Sequence, residues 1–101
     1  MKPELLSGEA ILQQMNSLPA WRVEGSELVK EFRFASYLAG IEFVRQAAVL
    51  AEKMNHHPDL FIGWRKVTVR LTTQSAGGLT RLDFELAGQI TAIESTPTNH
   101  A

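Results

Sequence analysis

The chain has 101 residues, 45% hydrophobic and 21% charged, with a formal net charge of −1, as expected for one soluble globular domain over 1–101. Its basic residues are scattered from Lys2 to Arg81, which argues against nucleic-acid binding through phosphates. It lacks cysteine, which excludes disulfides, thiol catalysis and thiolate-bound metals, and it has no apolar run of the roughly 20 residues that cross a bilayer.

The first part of the chain predicts a short helix and a β-hairpin. Ser7 is a suitable N-cap for a helix that Pro19 would end. Its apolar residues recur at helical spacing: Ile11, Leu12, Met15 and Leu18. Turn-forming residues at 24–26 then separate two extended runs, 21–23 and 28–34, and these predict the hairpin.

A long second helix is predicted from the cap Ser36 to about Asn55. One apolar stripe comprises Tyr37, Ile41, Val44, Ala48 and Ala51, and a neighbouring stripe comprises Phe43, Ala47, Leu50 and Met54. Together they are wider than the roughly 100° arc needed to cover a small sheet. We therefore expect part of this helix to contact another subunit in a homodimer or homotetramer.

A second hairpin and a last helix follow Pro58. The runs 60–62 and 64–73 predict two strands joined at Gly63, with Val67, Val69 and Leu71 pointing inward. Thr80 is a suitable cap for the last helix, whose inner stripe is Leu82, Leu86, Ile90 and Ile93. The polar tail 95–101 is predicted to be frayed.

The order helix, hairpin, helix, hairpin, helix lacks the strand–helix–strand alternation of a parallel sheet. It predicts an α+β fold in which three helices pack on one face of a four-stranded antiparallel sheet.

Two of the three histidines, His56 and His57, are adjacent at the predicted end of the second helix. An imidazole can exchange a proton under mild conditions, so the pair is a candidate for acid–base chemistry. A protonated histidine could instead simply cap the helix C-terminus. A zinc site is less favoured because no spaced third ligand is available. Glu52 precedes His56 by four residues, so its carboxylate could orient that ring.

Asp83 follows Thr80 by three residues, the spacing of a capping box. Its structural interpretation is therefore a hydrogen bond to the backbone of the cap. Gly77 and Gly78 carry no lysine at the spacing of a phosphate-binding loop, so they predict a turn.

These residues together resemble a known family. Glu52-x-x-x-His56-His57-Pro58, then Trp64, Thr72-Thr73, the run 76–80 and Asp83 are similar to the signature of the pterin-4a-carbinolamine dehydratases. The resemblance extends from about Trp21 through the last helix. It implies the α+β fold, dimers or tetramers, and no metal or organic cofactor. It also implies removal of water from 4a-hydroxytetrahydropterin, which gives quinonoid dihydropterin during recycling of the cofactor of aromatic amino acid hydroxylases.

The resemblance also assigns roles to residues. His56 and His57 would contact the pterin and its hydroxyl and divide the two proton transfers, with Glu52 orienting His56 and Asp83 supporting the site. The catalytic set is thus His56, His57, Glu52 and Asp83. The residues expected to bind the substrate are His56, His57, Pro58, Thr73, Gln74, Ser75 and Ala76. The absence of cysteine fits a reducing cytoplasm, and acids break the N-terminus before any apolar stretch of signal-peptide length, so a cytoplasmic protein is predicted.

One position departs from the family signature. A third histidine is expected where this chain has Gln74, and glutamine cannot exchange a proton near neutral pH. The chain could therefore be a slowed dehydratase, or a non-catalytic relative that binds a protein, as dehydratase-like assembly factors and transcriptional coactivators do. We favour the enzyme because Glu52, His56, His57 and Asp83 are all present.

Overall fold

The predicted order of helices and hairpins is confirmed by a computed structural model, which describes residues 3–95. The helices are α1 (Gly8–Met15), α2 (Tyr37–Met54) and α3 (Arg81–Ser95). The strands are β1 (Arg22–Glu24), β2 (Glu27–Arg33), β3 (Asp59–Ile62) and β4 (Lys66–Leu71). A single 3-10 turn, Gln74–Ala76, lies between β4 and α3. Apart from Ser95, the predicted frayed tail lies outside the described residues.

The four strands form one antiparallel sheet in the order β1-β2-β4-β3. The two hairpins meet along β2 and β4, where Leu28 faces Leu71 and Phe32 faces Val67. Gly25 connects β1 to β2 with a φ of +59°, a left-handed conformation that glycine adopts without a steric penalty. This order places β1 and β3 at the edges of the sheet.

The three helices pack on one face of the sheet and enclose the core, so the predicted fold class is confirmed. Val67, Val69 and Leu71 are fully buried, as predicted from their alternation. The Phe32 ring of β2 packs against Phe43 of α2 with 4.5 Å between the ring centroids. α3 contributes Leu86 and Ile90 as predicted, together with Phe84 and Ala87.

The first helix is shorter than predicted. The Ser7 hydroxyl caps it by accepting from Ala10 N at 3.1 Å, but α1 ends at Met15, so the placement of Leu18 in the helix was wrong. Pro19 disfavours helical backbone at Leu18. Leu18 instead lies in the following turn, where it is buried in the core.

The apolar side chains of α2 differ in their environment. Ala47 and Ala51, one from each stripe, are buried, whereas Tyr37 and Ala48 are exposed in the single chain. Leu38, next to Tyr37, is 74% exposed. The excess apolar surface inferred from the sequence is therefore accessible. No helix within residues 3–95 combines the length and the apolar character needed to cross a membrane.

Candidate active site

The end of α2 fixes the position of His56. Asn55 adopts a left-handed conformation, with φ 50° and ψ 42°, and its N–H donates to Glu52 O. The N–H of His56 donates to Ala51 O at 3.0 Å, and this pair of bonds is that of a Schellman motif. The chain therefore reverses at Asn55 and turns the His56 ring toward α3.

His56 is held by a buried network that begins at α3. Its Nε2 lies 2.6 Å from Asp83 Oδ1, and Asp83 is fully buried. Asp83 Oδ2 accepts from the Thr73 hydroxyl at 2.8 Å and from Thr80 N at 2.9 Å. The predicted bond from Asp83 to the backbone of the cap is thus present, and the same carboxylate also orients the histidine.

His57 has a different carboxylate partner. Its Nε2 lies 2.5 Å from Glu52 Oε2, and both side chains are largely solvent-exposed. The prediction that Glu52 orients His56 was therefore wrong. The left-handed Asn55 ends the helix before His56, so the i,i+4 geometry of a continuous helix does not apply there. Each imidazole consequently has its own carboxylate, one buried and one exposed.

The two histidines line one polar cavity of about 300 Å³ beside the end of β4. Small-molecule sites in proteins commonly begin at about this volume. The cavity brings together residues from four segments of the chain. They are Asn55, His56, His57, Asp59, Arg70, Thr72, Thr73, Gln74 and Ser75.

The cavity includes some of the predicted site residues and leaves others out. Gln74 and Ser75 line it, whereas Pro58 and Ala76 are not among its lining residues. The hydroxyl of Thr73, another lining residue, is engaged by Asp83 and Thr80. Asp83 lies behind His56, outside the lining of the cavity.

Arg70 and Asp59 line the cavity but were missed by the sequence analysis. They are register partners on β4 and β3 and share the face of the sheet opposite the helices. Strand alternation places Arg70 on the same face as Thr72, two residues away, and this pattern could have identified Arg70. The register that brings Asp59 beside Arg70 depends on how the hairpin closes.

Hydrogen bonding indicates which histidine nitrogens remain available for proton exchange. A carboxylate accepts hydrogen bonds, so the neutral ring of His56 carries its proton on Nε2 and its lone pair on Nδ1. Within residues 3–95, Nδ1 of His56 has no hydrogen-bond partner and is not buried. The same reasoning assigns the Nε2 proton of His57 to its bond with Glu52. Both rings can therefore offer Nδ1 for proton exchange.

Arg70 carries a fixed positive charge into the wall of the cavity. Its two terminal nitrogens lie 3.1 Å from Glu24 Oε1 and 3.1 Å from Glu27 Oε1. Glu24 raises the pKa of Arg70, and Glu27 acts in the same direction. The Arg22 guanidinium holds the pKa of Glu24 below its ordinary value, with Arg70 adding to the effect. Arg70 and Glu24 therefore remain ionised near neutral pH.

The donor set does not resemble a metal site. Among the described residues, no three histidine, aspartate or glutamate side chains converge as metal ligands would. His56 and His57 each direct one nitrogen to a carboxylate partner. The arrangement is suited to proton transfer to and from a bound small molecule.

The fold and the site define a class of small α+β proteins with two neighbouring histidines in a polar cavity at the end of a sheet. The family model for pterin 4 alpha carbinolamine dehydratase matches residues 4–93. The chain belongs to this family, as the sequence resemblance predicted.

Relatives of known sequence agree with this membership. A protein of Roseiflexus sp. (strain RS-1), named "Putative pterin-4-alpha-carbinolamine dehydratase", is 48% identical over 88 residues, covering 87% of this chain and 95% of that protein. A protein of the same name from Sinorhizobium fredii is 42% identical, covering 89% and 88% respectively.

Two solved structures share the fold. A "transcriptional coactivator/pterin dehydratase" from Brucella melitensis superposes with a TM-score of 0.83 at 33% identity, covering 87% of this chain and 96% of that one. A "pterin dehydratase-like protein", described as a RuBisCO assembly factor in the alpha-carboxysome, gives a TM-score of 0.65 at 26% identity, covering 77% and 93%. Proteins that share this fold are thus described both by an enzymatic role and by other roles.

Proposed function

We propose that this protein is a dehydratase that removes water from 4a-hydroxytetrahydropterin and gives quinonoid dihydropterin, in the recycling of a pterin cofactor. The observation that carries the proposal is that His56 and His57 line one cavity of about 300 Å³, each with a carboxylate on its far nitrogen. A site built for proton transfer is what this reaction requires. We expect the reaction to take place in the cytoplasm.

The reaction needs one base and one acid. The proton on N5 of the pterin leaves, the C4a–O bond breaks, a C4a=N5 double bond forms, and the departing oxygen takes up a proton to leave as water. His56 is suited to be the base, because Asp83 keeps its proton on Nε2 and leaves the Nδ1 lone pair free. His57 is suited to be the acid, because its 53% exposed side chain can exchange protons with bulk water between turnovers.

Asp83, Glu52 and Thr73 act behind the two rings in this scheme. Asp83 and Glu52 bond the outer nitrogens of the rings, so both are positioning residues. Thr73 positions Asp83 through its hydroxyl. Gln74 would contact the substrate directly, and its amide can hydrogen-bond the pterin without moving a proton.

Two substitutions test this function. Gln74→His should raise kcat for 4a-hydroxytetrahydropterin, by about 10-fold or more, because it adds a positioned imidazole. His57→Ala should reduce the remaining rate by about 10²-fold or more. Stopped-flow absorbance on synthetic substrate measures both rates, with Glu31→Gln as a control because Glu31 does not line the cavity. Rates unchanged in both variants would contradict the proposal.

A non-catalytic binding or assembly role is the second candidate. It is favoured by Gln74, which replaces an imidazole of the family signature, and by the similarity to the RuBisCO assembly factor. In that case the fold would serve as a scaffold and pterin turnover would be absent from the wild-type protein. The stopped-flow assay on the wild type separates the two candidates.

We further propose that the chain forms a homodimer or homotetramer. The exposed apolar side chains of α2 support this, since Tyr37 and Leu38 are 48% and 74% exposed in the single chain. Contiguous apolar surface on a soluble protein commonly marks a protein interface. The proposed partner is a second copy of the chain; no membrane or nucleic acid is needed.

A further inference from the structure

A second cavity adjoins the site of the histidines. It has a volume of about 510 Å³ and lies between the β1–β2 turn and the segment that precedes α3. Its lining comprises Glu24, Gly25, Ser26, Glu27, Thr72, Gln74, Gly77 and Gly78. Thr72 and Gln74 line both cavities, so the two spaces meet at these side chains.

The second cavity differs from the first in its charge. Its lining includes the carboxylates of Glu24 and Glu27 and no cationic side chain. Arg70, which pairs with both carboxylates, lines the first cavity instead. A ligand group in the second cavity would therefore approach the carboxylate oxygens of Glu24 and Glu27, since the arginines that pair with them do not line it. A group in the first cavity would meet Arg70 and the histidines.

The second cavity also offers polar atoms that suit hydroxyl groups. Within residues 3–95, Glu27 Oε2 and the amide of Gln74 form no hydrogen bond. The Thr72 hydroxyl donates to Ser26 O at 2.8 Å and can still accept a bond. A hydroxyl both donates and accepts, so it can use a carboxylate oxygen and an amide together.

We propose that the second cavity receives the substituent on C6 of a bound pterin, and that Glu24 and Glu27 select a neutral, hydroxyl-bearing substituent over one that carries carboxylates. The proposal rests on the proposed function, because it assumes that the pterin ring lies between the histidines. Thr72 and Gln74 line both cavities, so the bond from the pterin ring to its C6 substituent would lie beside these two side chains. An anionic substituent would be repelled by the carboxylates of Glu24 and Glu27. This repulsion is substantial when the charges are a few ångströms apart.

The test compares substituents that differ only in charge. One 4a-hydroxytetrahydropterin carries a C6 tail ending in two carboxylates, and a second carries the same tail with both carboxylates converted to amides. A 6-methyl compound reports on the ring alone. The measured quantity is the ratio of kcat/KM for the diamide to kcat/KM for the dicarboxylate, in the wild type, Glu27→Gln and Glu31→Gln.

Glu31→Gln is a matched control. Glu31 lies on the same strand and the same sheet face as Glu27, has similar exposure and is also ion-paired, but it lines neither cavity. The wild type should prefer the diamide, Glu27→Gln should lower that preference about five-fold, and Glu31→Gln should leave it unchanged. All three proteins should have similar kcat/KM values for the 6-methyl compound. Equal ratios in Glu27→Gln and Glu31→Gln would overturn the selective subsite.

Failure of the proposed function would be visible separately. If the wild type turns over none of these compounds, the dehydratase proposal fails, and dissociation constants of the corresponding 7,8-dihydropterins, measured by fluorescence quenching, test the subsite through the same ratio. Absence of binding by every dihydropterin would overturn both proposals. Should Glu27→Gln unfold at the assay temperature, Glu24→Gln tests the other carboxylate of the same wall.

Discussion

Asp83 is the residue on which the protonation pattern of His56 depends. It accepts from His56 Nε2 through one oxygen and from Thr73 and Thr80 through the other. An asparagine would keep its single oxygen toward Thr80 N and would turn its amide nitrogen toward His56. The ring would then place its proton on Nδ1 and its lone pair on Nε2, away from the cavity.

Asp83→Asn should therefore lower kcat by about 10²-fold or more, with KM little changed, because the base is misplaced while the cavity keeps its shape. ¹⁵N NMR of the imidazole should show the change of tautomer. The free energy of unfolding should fall by about 1–3 kcal/mol, because the substitution disturbs a buried, charge-assisted hydrogen-bond network.

Thr73→Val is the control for Asp83→Asn. It removes one donor to the same carboxylate but leaves that carboxylate facing His56, so stability should fall by about 1 kcal/mol, the tautomer of His56 should be kept, and kcat should fall much less than in Asp83→Asn. A wild-type kcat in Asp83→Asn would show that the carboxylate does not set the protonation of His56.

For individual residues, the sequence predicted which histidines belong to the site better than it predicted which carboxylate bonds each ring. His56, His57 and Gln74 were assigned to one site, and all three line the cavity. Glu52 was assigned to His56 because helical spacing was extended two residues past Met54, where the helix ends. Asp59 went unnoticed because its position beside Arg70 depends on the register of the β3–β4 hairpin.

At the scale of the element, the end of α2 depends on the left-handed backbone of Asn55. This conformation costs an ordinary L-residue roughly 1–2 kcal/mol, whereas asparagine tolerates it and glycine adopts it freely. The Schellman bonds that orient His56 follow from it.

A pair of substitutions isolates the backbone effect. Asn55→Ala and Asn55→Gly both remove the amide from the wall of the cavity, but only alanine strains the left-handed backbone. Asn55→Ala should lower the free energy of unfolding by about 1 kcal/mol relative to Asn55→Gly, as measured by urea denaturation. It should also lower kcat further if the strained end shifts His56. Equal stabilities would mean that the helix end relaxes into another conformation.

The elements themselves were largely predictable. Alternation identified both hairpins, and the caps Ser7, Ser36 and Thr80 were read correctly because capping is local chemistry. The ends were less predictable. β4 stops at Leu71, short of the predicted Thr73, because Thr73 turns away to bridge Gly78 and bond Asp83. That competition comes from α3, which local pattern does not include.

At the scale of the whole molecule, the exposed apolar side chains of α2 would favour association of one copy of the chain with another. The cavity, by contrast, is built from segments of a single chain: the end of α2, β3, β4 and the turn before α3. Association and proton transfer should therefore be separable by substitution. Sites that share no partner commonly behave independently.

The last prediction concerns this separation. Leu38→Glu combined with Ala48→Glu places two charges at exposed apolar positions of α2, so the protein should sediment as a monomer under conditions in which the wild type is an oligomer. Leu12→Glu is the control, because Leu12 is 71% exposed and Leu38 is 74% exposed, yet Leu12 lies on α1. The monomeric variant should keep its kcat per chain within about two-fold. If the double variant and the Leu12 control sediment alike, the subunit interface lies elsewhere than on α2.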